Sequence, residues 1–322
     1  GEVALLEGRA HTRVLRGRDV TAADEQLGSA TDAAVERPDA GLPGARRRQG
    51  FEPDLAGTGR DGPVGARGVL GVGGPVGVVE DGPADLVGRR VFCLHPHQDR
   101  YVVDASMLTP LPDAVPSRRA VLTGTVETAL NALWDAPPCA GDRIAVVGGG
   151  LVGGAVALLL RRFPLARLQI VDPDAARRRQ LAETGLDAVA PEDAAGDCDL
   201  VFHASASESG LAAALALLGD EAELVEMSWF GAREPRVPLG EDFHSRRLRI
   251  TASQVSRIGA ARRARRDPAA RLATALEFLA DPAFDTLIAA DVAFDEMDDA
   301  YAALEDGRIG PGCVVVAYPD SP

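Results

Sequence analysis

The residues with the clearest chemistry are Gly148, Gly149, Gly150, Leu151, Val152 and Gly153. Glycines at the first, third and sixth places form a phosphate-binding spacing, G-x-G-x-x-G. Glycine is abundant here, 35 residues, so the spacing alone says little. Its surroundings say more. The apolar run Ile144 to Val147 precedes it and Ala155 to Leu160 follows, a strand leading into a helix. In that setting Gly148 permits the tight turn and Gly150 lets the backbone approach a pyrophosphate. Gly153 lets the helix lie against the sheet. Free amides at the helix start, aided by its dipole, favour the phosphates.

Asp172 ends the next apolar run, Leu168 to Val171, and stands 19 residues after Gly153. That is the place of an acid that accepts hydrogen bonds from both hydroxyls of an adenosine ribose and repels a 2′-phosphate. NAD(H) is therefore expected over NADP(H). The alternative is a helix cap, since Pro173 and Asp174 follow. Arg177, Arg178 and Arg179 stand near enough to meet a 2′-phosphate, or are solvated helix charges. Downstream, His203 ends the run from Leu200, at the carboxyl edge where such sheets bind ligands. Ala204 and Ser205 are expected to flank the cofactor through their backbone. Ser228, Trp229 and Ser253 close the same edge. His203 reads equally as a satisfied loop histidine.

Protons need another source. His95 and His97 share one face of an extended segment across Pro96. Histidine is the side chain suited to giving a proton to a developing alkoxide near neutral pH. A structural role, hydrogen-bonded to backbone, is the competing reading. Tyr101 is a second donor or strand packing. Glu127 either orients a histidine or the nicotinamide ribose, or caps its helix. Arg257, Arg262, Arg263, Arg265 and Arg266 either grip an anionic substrate or form a solvated face.

The elements that must position these groups form two patterns. Up to Pro116 the chain reads as short β segments with turns: Val3 to Leu6, Pro75 to Glu80, Arg90 to Leu94 and Tyr101 to Val103. The stretch from Gly41 to Gly68 reads as loop. From Arg119 onward strands and helices alternate, which implies a parallel sheet covered on both faces. Helices are expected over Arg119 to Trp134, Gly150 to Arg162, Ala175 to Thr184, Gly210 to Leu218, Arg271 to Leu279 and Asp295 to Leu304. Strands are expected at Leu224 to Met227, Leu248 to Thr251 and Val314 to Val316.

Composition narrows the function further. The chain has 322 residues and a formal net charge of −14, against a nucleic-acid partner, which needs a basic face. No lysine occurs, so Schiff-base chemistry is excluded. The four cysteines, Cys93, Cys139, Cys198 and Cys313, form no CxxC pair. No apolar run is long enough to span a membrane and no leader pattern opens the chain, so a cytoplasmic enzyme is expected.

The order of these features resembles the medium-chain dehydrogenase/reductase superfamily, which includes zinc alcohol dehydrogenases. Gly77 to Gly82 with Gly88 to Phe92, Glu127-Thr128-Ala129, Gly141 to Gly148, and Phe294 to Val316 carry the likeness, over about residues 70 to 318. Phe92 to Gln98, Glu127 to Asp135, Phe243 to Leu248 and Ser253-Gln254-Val255 point to a bacterial subgroup of it. The resemblance implies a doubly wound Rossmann sheet plus a mostly β GroES-like catalytic domain. It divides the chain at 1–118, 119–258 and 259–322, the last part returning to the catalytic domain. It implies Thr128 near the nicotinamide, a small-molecule substrate and a homodimer joined through Rossmann edge strands. The family's zinc usually takes an N-terminal cysteine, a His-Glu pair and a later Cys, Asp or Glu. Here those last places fall on Gly73-Gly74 and near Thr123-Gly124, and no cysteine precedes Cys93. The expectation is a zinc-independent oxidoreductase moving hydride to or from a carbonyl, hydroxyl or activated alkene, in secondary metabolism. The alternatives are a cofactor-binding cyclase or isomerase, or a regulatory pseudo-dehydrogenase on the same fold.

Overall fold

The structure, a computed structural model, describes residues 3–7, 11–15, 74–96, 100–240 and 242–318. His97, the 41–68 stretch and Gly73 lie outside the described residues. Early strands are short: β1 Val3–Glu7, β2 His11–Leu15, β3 Val76–Val78, β4 Arg90–Phe92, β5 Val102–Asp104 and β6 Thr109–Pro110. They form two antiparallel three-stranded sheets, ordered β2-β1-β5 and β3-β4-β6.

Two helices follow, α1 Ser117–Ala120 and α2 Thr123–Asp135. The sequence suggests one continuous helix from Arg119, but the chain breaks at Val121–Leu122. There the Thr123 hydroxyl donates back to the Ala120 carbonyl. Alternation then sets in: β7 Arg143–Val147, α3 Leu151–Leu160, β8 Arg167–Val171, α4 Ala175–Ala182, β9 Asp187–Val189 and β10 Cys198–His203. Next come α5 Glu208–Ala216, β11 Leu218–Glu226, α6 Asp242–Ser245 and β12 Arg249–Ala252. The chain ends with α7 Pro268–Phe278, β13 Ile288–Ala293, α8 Met297–Glu305 and β14 Cys313–Ala317, where β13 and β14 pair in parallel. The sequence reading passed over β2, β6, β9 and β13, which are short or weakly alternating.

The large sheet runs β12-β11-β10-β7-β8-β9, every pair parallel. This is the doubly wound order, reversing between β7 and β10. Burial on both faces explains its sequence. Along β7, Ile144 and Val146 pack into the core with α2, α3 and α7, while Ala145 and Val147 pack with α5 on the other face. Strands buried on both sides read as continuous apolar runs. Helix α3 is buried along Gly153–Leu160, so it is apolar all round rather than on one stripe. Each of its fully buried large aliphatic side chains contributes about 1.5–3 kcal/mol.

Cysteine burial gives a direct check on this packing. Cys93, Cys198 and Cys313 are buried and Cys139 is exposed. Burial also pushes the Cys93 and Cys313 thiols up to about 11, away from the reactive thiolate. Titration of the native protein with a thiol reagent at neutral pH is expected to show one fast-reacting cysteine, lost in Cys139→Ser. The other three should react only on denaturation.

Candidate functional site

The reversal point of the sheet is where a ligand crevice opens in this topology. The glycine loop sits there, between β7 and α3. Gly148 has φ +102, a left-handed conformation that disfavours side chains. A Cβ there would also stand 2.7 Å from the Ser205 backbone nitrogen. A Cβ at Gly153 would lie 1.8 Å from the Gly148 carbonyl oxygen, so the helix start touches the strand end. At Gly150 a Cβ would meet nothing within 4 Å, so this residue faces open space. No side chain caps α3. Its first amides therefore keep their hydrogen-bonding capacity for a ligand.

Asp172 stands beside the loop. Its carboxylate accepts from the Gly149 amide at 2.7 Å and the Asp174 amide at 2.8 Å. An ionised carboxylate has about four acceptor positions. Two backbone donors leave capacity for two sugar hydroxyls. The cap of α4 is a different residue, Asp174, whose side chain accepts from Ala176. Donor set, open face and helix start together fit a dinucleotide.

On the far wall His203 is fully buried, and both ring nitrogens are occupied. Nδ1 meets Glu226 Oε2 at 2.7 Å and Nε2 meets Ser205 Oγ at 2.7 Å. Ser205 Oγ meets Ser207 Oγ at 2.9 Å, and Ser207 accepts from the Gly210 amide at the start of α5. The carboxylate only accepts, so His203 Nδ1–H donates to Glu226; with a neutral imidazole Nε2 then accepts from Ser205, and Ser205 from Ser207. The imidazole is thus engaged in holding the 203–210 loop, not presented to the crevice. Ala204 and Ser205 meet the glycine loop through their backbone at Gly148. Ser228 accepts from the Ala206 amide at 3.0 Å, and its own amide donates to Glu226 Oε1 at 2.7 Å. Glu226 escaped the sequence reading as one more strand-end acid. The signal was its register, since it lies opposite His203 on neighbouring strands.

Two expectations need correction. Arg177 is not a solvated helix charge and does not face a 2′-phosphate. It is 2% exposed and donates to the Gly149 and Gly150 carbonyls beneath the loop. Glu127 does not cap its helix and its partner is not a histidine. It lies inside α2, 5% exposed, paired with Arg271 of α7 at 3.0 Å. Glu127, Asn131 and Asp135 recur every four residues and share one face. Arg271 also binds Asn131 and the Val255 carbonyl, and Ser253 binds Asp135 at 2.7 Å. This buried network ties the 253–259 segment to α2, and Ser253 belongs to it. Burial pushes the Glu127 carboxyl above the usual range, while the Arg271 guanidinium pulls it down. Thr128, half-buried on the same helix, donates to the Gly124 carbonyl at 2.9 Å.

His95 and Tyr101 are brought together, their rings stacked 3.9 Å apart. His95 Nδ1 meets the Pro96 carbonyl at 2.9 Å. That oxygen can only accept, so Nδ1 carries a proton, and Nε2 has no partner among the described residues. Tyr101 is buried in the β core with Val79, Val91, Cys93 and Val103. Burial, with Cys93 beside it, pushes its hydroxyl well above the usual phenol range. As an acid that titrates near neutrality Tyr101 is disfavoured; it is a packing surface for His95. Among the described residues no hydrogen bond, ion pair or ring contact joins the His95–Tyr101 pair to the glycine loop. Among the same residues no three His, Cys, Asp or Glu side chains cluster as a metal site.

Solved structures share this architecture. One is a short chain alcohol dehydrogenase from E. coli CFT073 complexed with NADH. It matches with a TM-score of 0.62 and 18% identity over 76% of this chain and 82% of that one. The fold is that of the medium-chain dehydrogenases. L-idonate 5-dehydrogenase from E. coli K-12 matches with a TM-score of 0.63 at 17% identity, over 76% of this chain and 80% of that one. 2R,3R-butanediol dehydrogenase from Bacillus subtilis matches with a TM-score of 0.60 at 19% identity, over 77% and 79%. No family profile and no curated protein sequence matches the chain. Among the described residues no helix is long and apolar enough to cross a membrane.

Proposed function

We propose that this chain is a zinc-independent oxidoreductase that binds NAD(H) and moves hydride to or from a carbonyl, hydroxyl or activated alkene of a small molecule. The observation that carries it is the crevice at the sheet reversal, where Gly150 faces open space and Asp172 stands beside the loop. The α3 amides would hold the pyrophosphate, Asp172 the adenosine ribose, and the backbone of Ala204 and Ser205 the opposite wall. The bound nicotinamide supplies a two-electron hydride acceptor or donor. His95, its Nδ1–H held by the Pro96 carbonyl and its ring braced by Tyr101, is the proposed proton carrier: Nε2 takes the proton of a hydroxyl on oxidation, and once protonated gives it to the developing alkoxide or enolate on reduction. His97 is the second proposed donor, on sequence grounds.

Zinc independence rests on the donor set. The family's His-Glu pair falls on Gly73-Gly74, neither of which carries a side chain, and at Gly74 any Cβ would lie 2.0 Å from the Cys93 carbonyl oxygen. A ligand side chain has no room there, and tetrahedral Zn²⁺ needs three protein ligands. The expected homodimer would form along β12, the sheet edge on which Ile250 is 38% exposed. Sedimentation measures it.

The test follows reduced nicotinamide absorbance with a panel of aldehydes, ketones, enones and alcohols, alongside metal analysis. Turnover with one class, at well below one zinc per chain, is expected. Cofactor bound without any hydride transfer across the panel would favour the cyclase or isomerase reading. One firmly held zinc per chain would refute the zinc-independent one.

A further inference from the structure

Beneath the glycine loop lies an arginine whose charge has no carboxylate within ion-pair distance among the described residues. Arg177 uses its guanidinium on four oxygens. Nε donates to the Gly149 carbonyl and Nη2 to the Gly150 carbonyl at 3.3 Å. Nη1 donates to Gln180 Oε1 at 2.7 Å and to the Thr286 carbonyl at 3.2 Å. Gln180 donates to the same Thr286 oxygen at 2.8 Å, so the arginine is itself held in place.

The loop peptides are all trans. In a trans peptide the C=O and the following N–H point in opposite directions. The Gly150 carbonyl also accepts from the Gly154 amide at 2.9 Å, the first bond of α3, so Arg177 fixes the Gly149 carbonyl and reinforces the Gly150 one. With both carbonyls held beneath the loop, the Gly150 and Leu151 amides turn to its opposite side. A second feature of the sequence fits the same device. Gly154 follows the glycine motif and is not required by it. A Cβ there would stand 3.1 Å from Arg177 Nη2 and 2.6 Å from Leu287 Cδ2. The added glycine makes room for the guanidinium.

We propose that Arg177 is a positioning residue for the cofactor: from below it locks the Gly149 and Gly150 carbonyls so that the amides above meet the pyrophosphate. This rests on the dinucleotide reading and deepens it. The arginine touches no part of the ligand. Its positive charge lies behind the loop, where an arriving diphosphate feels it across a low-dielectric layer.

The test compares three ligands, NADH, ADP and adenosine, on the full chain by calorimetry or ligand-detected NMR, with unfolding followed in parallel. Losing one oriented charge-assisted contact costs about tenfold in affinity. Arg177→Gln is expected to weaken NADH and ADP by roughly that factor or more and to leave adenosine within about twofold. Arg177→Lys, with a single point donor in place of the fork, should fall between. Should Arg177→Gln fail to fold, Gly154→Ala decides: it keeps the charge, displaces the guanidinium, and should show the same phosphate-selective loss. Equal weakening of ADP and adenosine, or no change in either, overturns the proposal. Wild-type protein that binds neither NADH nor ADP would overturn the dinucleotide reading instead.

Discussion

Asp172→Ala is expected to weaken NADH binding by about a hundredfold. Two sugar hydroxyls donating to one carboxylate are charge-assisted bonds, each worth about 1.5–3 kcal/mol. The substitution also strips the Gly149 amide of its acceptor, so the loop loses a brace at 2.7 Å. NADPH should respond differently. On the proposed reading the carboxylate would repel its 2′-phosphate, so the preference between the two cofactors should narrow or invert. Fluorescence titration measures all four affinities. Trp229, 73% exposed just beyond the end of β11 near Ser228, is a natural reporter. Unchanged NADH affinity in Asp172→Ala would mean that another group holds the sugar.

Glu127→Ala carries the largest expected effect on stability. Arg271 is 3% exposed and would keep a buried charge with its carboxylate gone. Breaking such a pair from one side costs about 3–5 kcal/mol. For a chain of this size that lowers Tm by roughly 4–7 °C. Glu127→Gln, which retains an acceptor for Arg271, should lose less. Glu127→Leu combined with Arg271→Met should recover part of the loss, because the isolated charge disappears with its partner. Activity per folded molecule should be preserved in all of these. A variant with wild-type Tm but abolished turnover would restore Glu127 to the reacting atoms and contradict its place in the α2–α7 network.

The contrast between these two acids shows what the sequence could and could not say. The place of Asp172 beside the glycine loop was legible because strand, loop and spacing are local features, all within about 30 residues. Glu127 was misread because its partner is 144 positions away, and nothing local announces Arg271. The same holds for Arg177. Its place in an arginine run looks like a solvated face, and only the fold shows it turned under Gly149 and Gly150. His203 falls between. Its position on the carboxyl edge was readable, yet the Glu226–His203–Ser205 string depends on register between β10 and β11. The Rossmann strands were legible because burial on both faces makes them apolar throughout, as in β7. The two-residue strand β6 and the three-residue strand β9 have too few positions to display a period.

His95 tests another kind of legibility. The sequence suggested a shared face with His97, which lies outside the described residues, and did not suggest the stacking on Tyr101 that the structure shows. His95 and Tyr101 both lie on the connection between β4 and β5, and how that connection folds back on itself is not set by spacing along the chain.

Calorimetry of the purified chain against NAD⁺, NADH, NADP⁺ and NADPH tests the central assignment most directly. One-to-one binding of NAD⁺ and NADH, tighter than either phosphorylated cofactor, is the expected result. Absence of binding heat for all four, confirmed by an unchanged Tm in their presence, would contradict it.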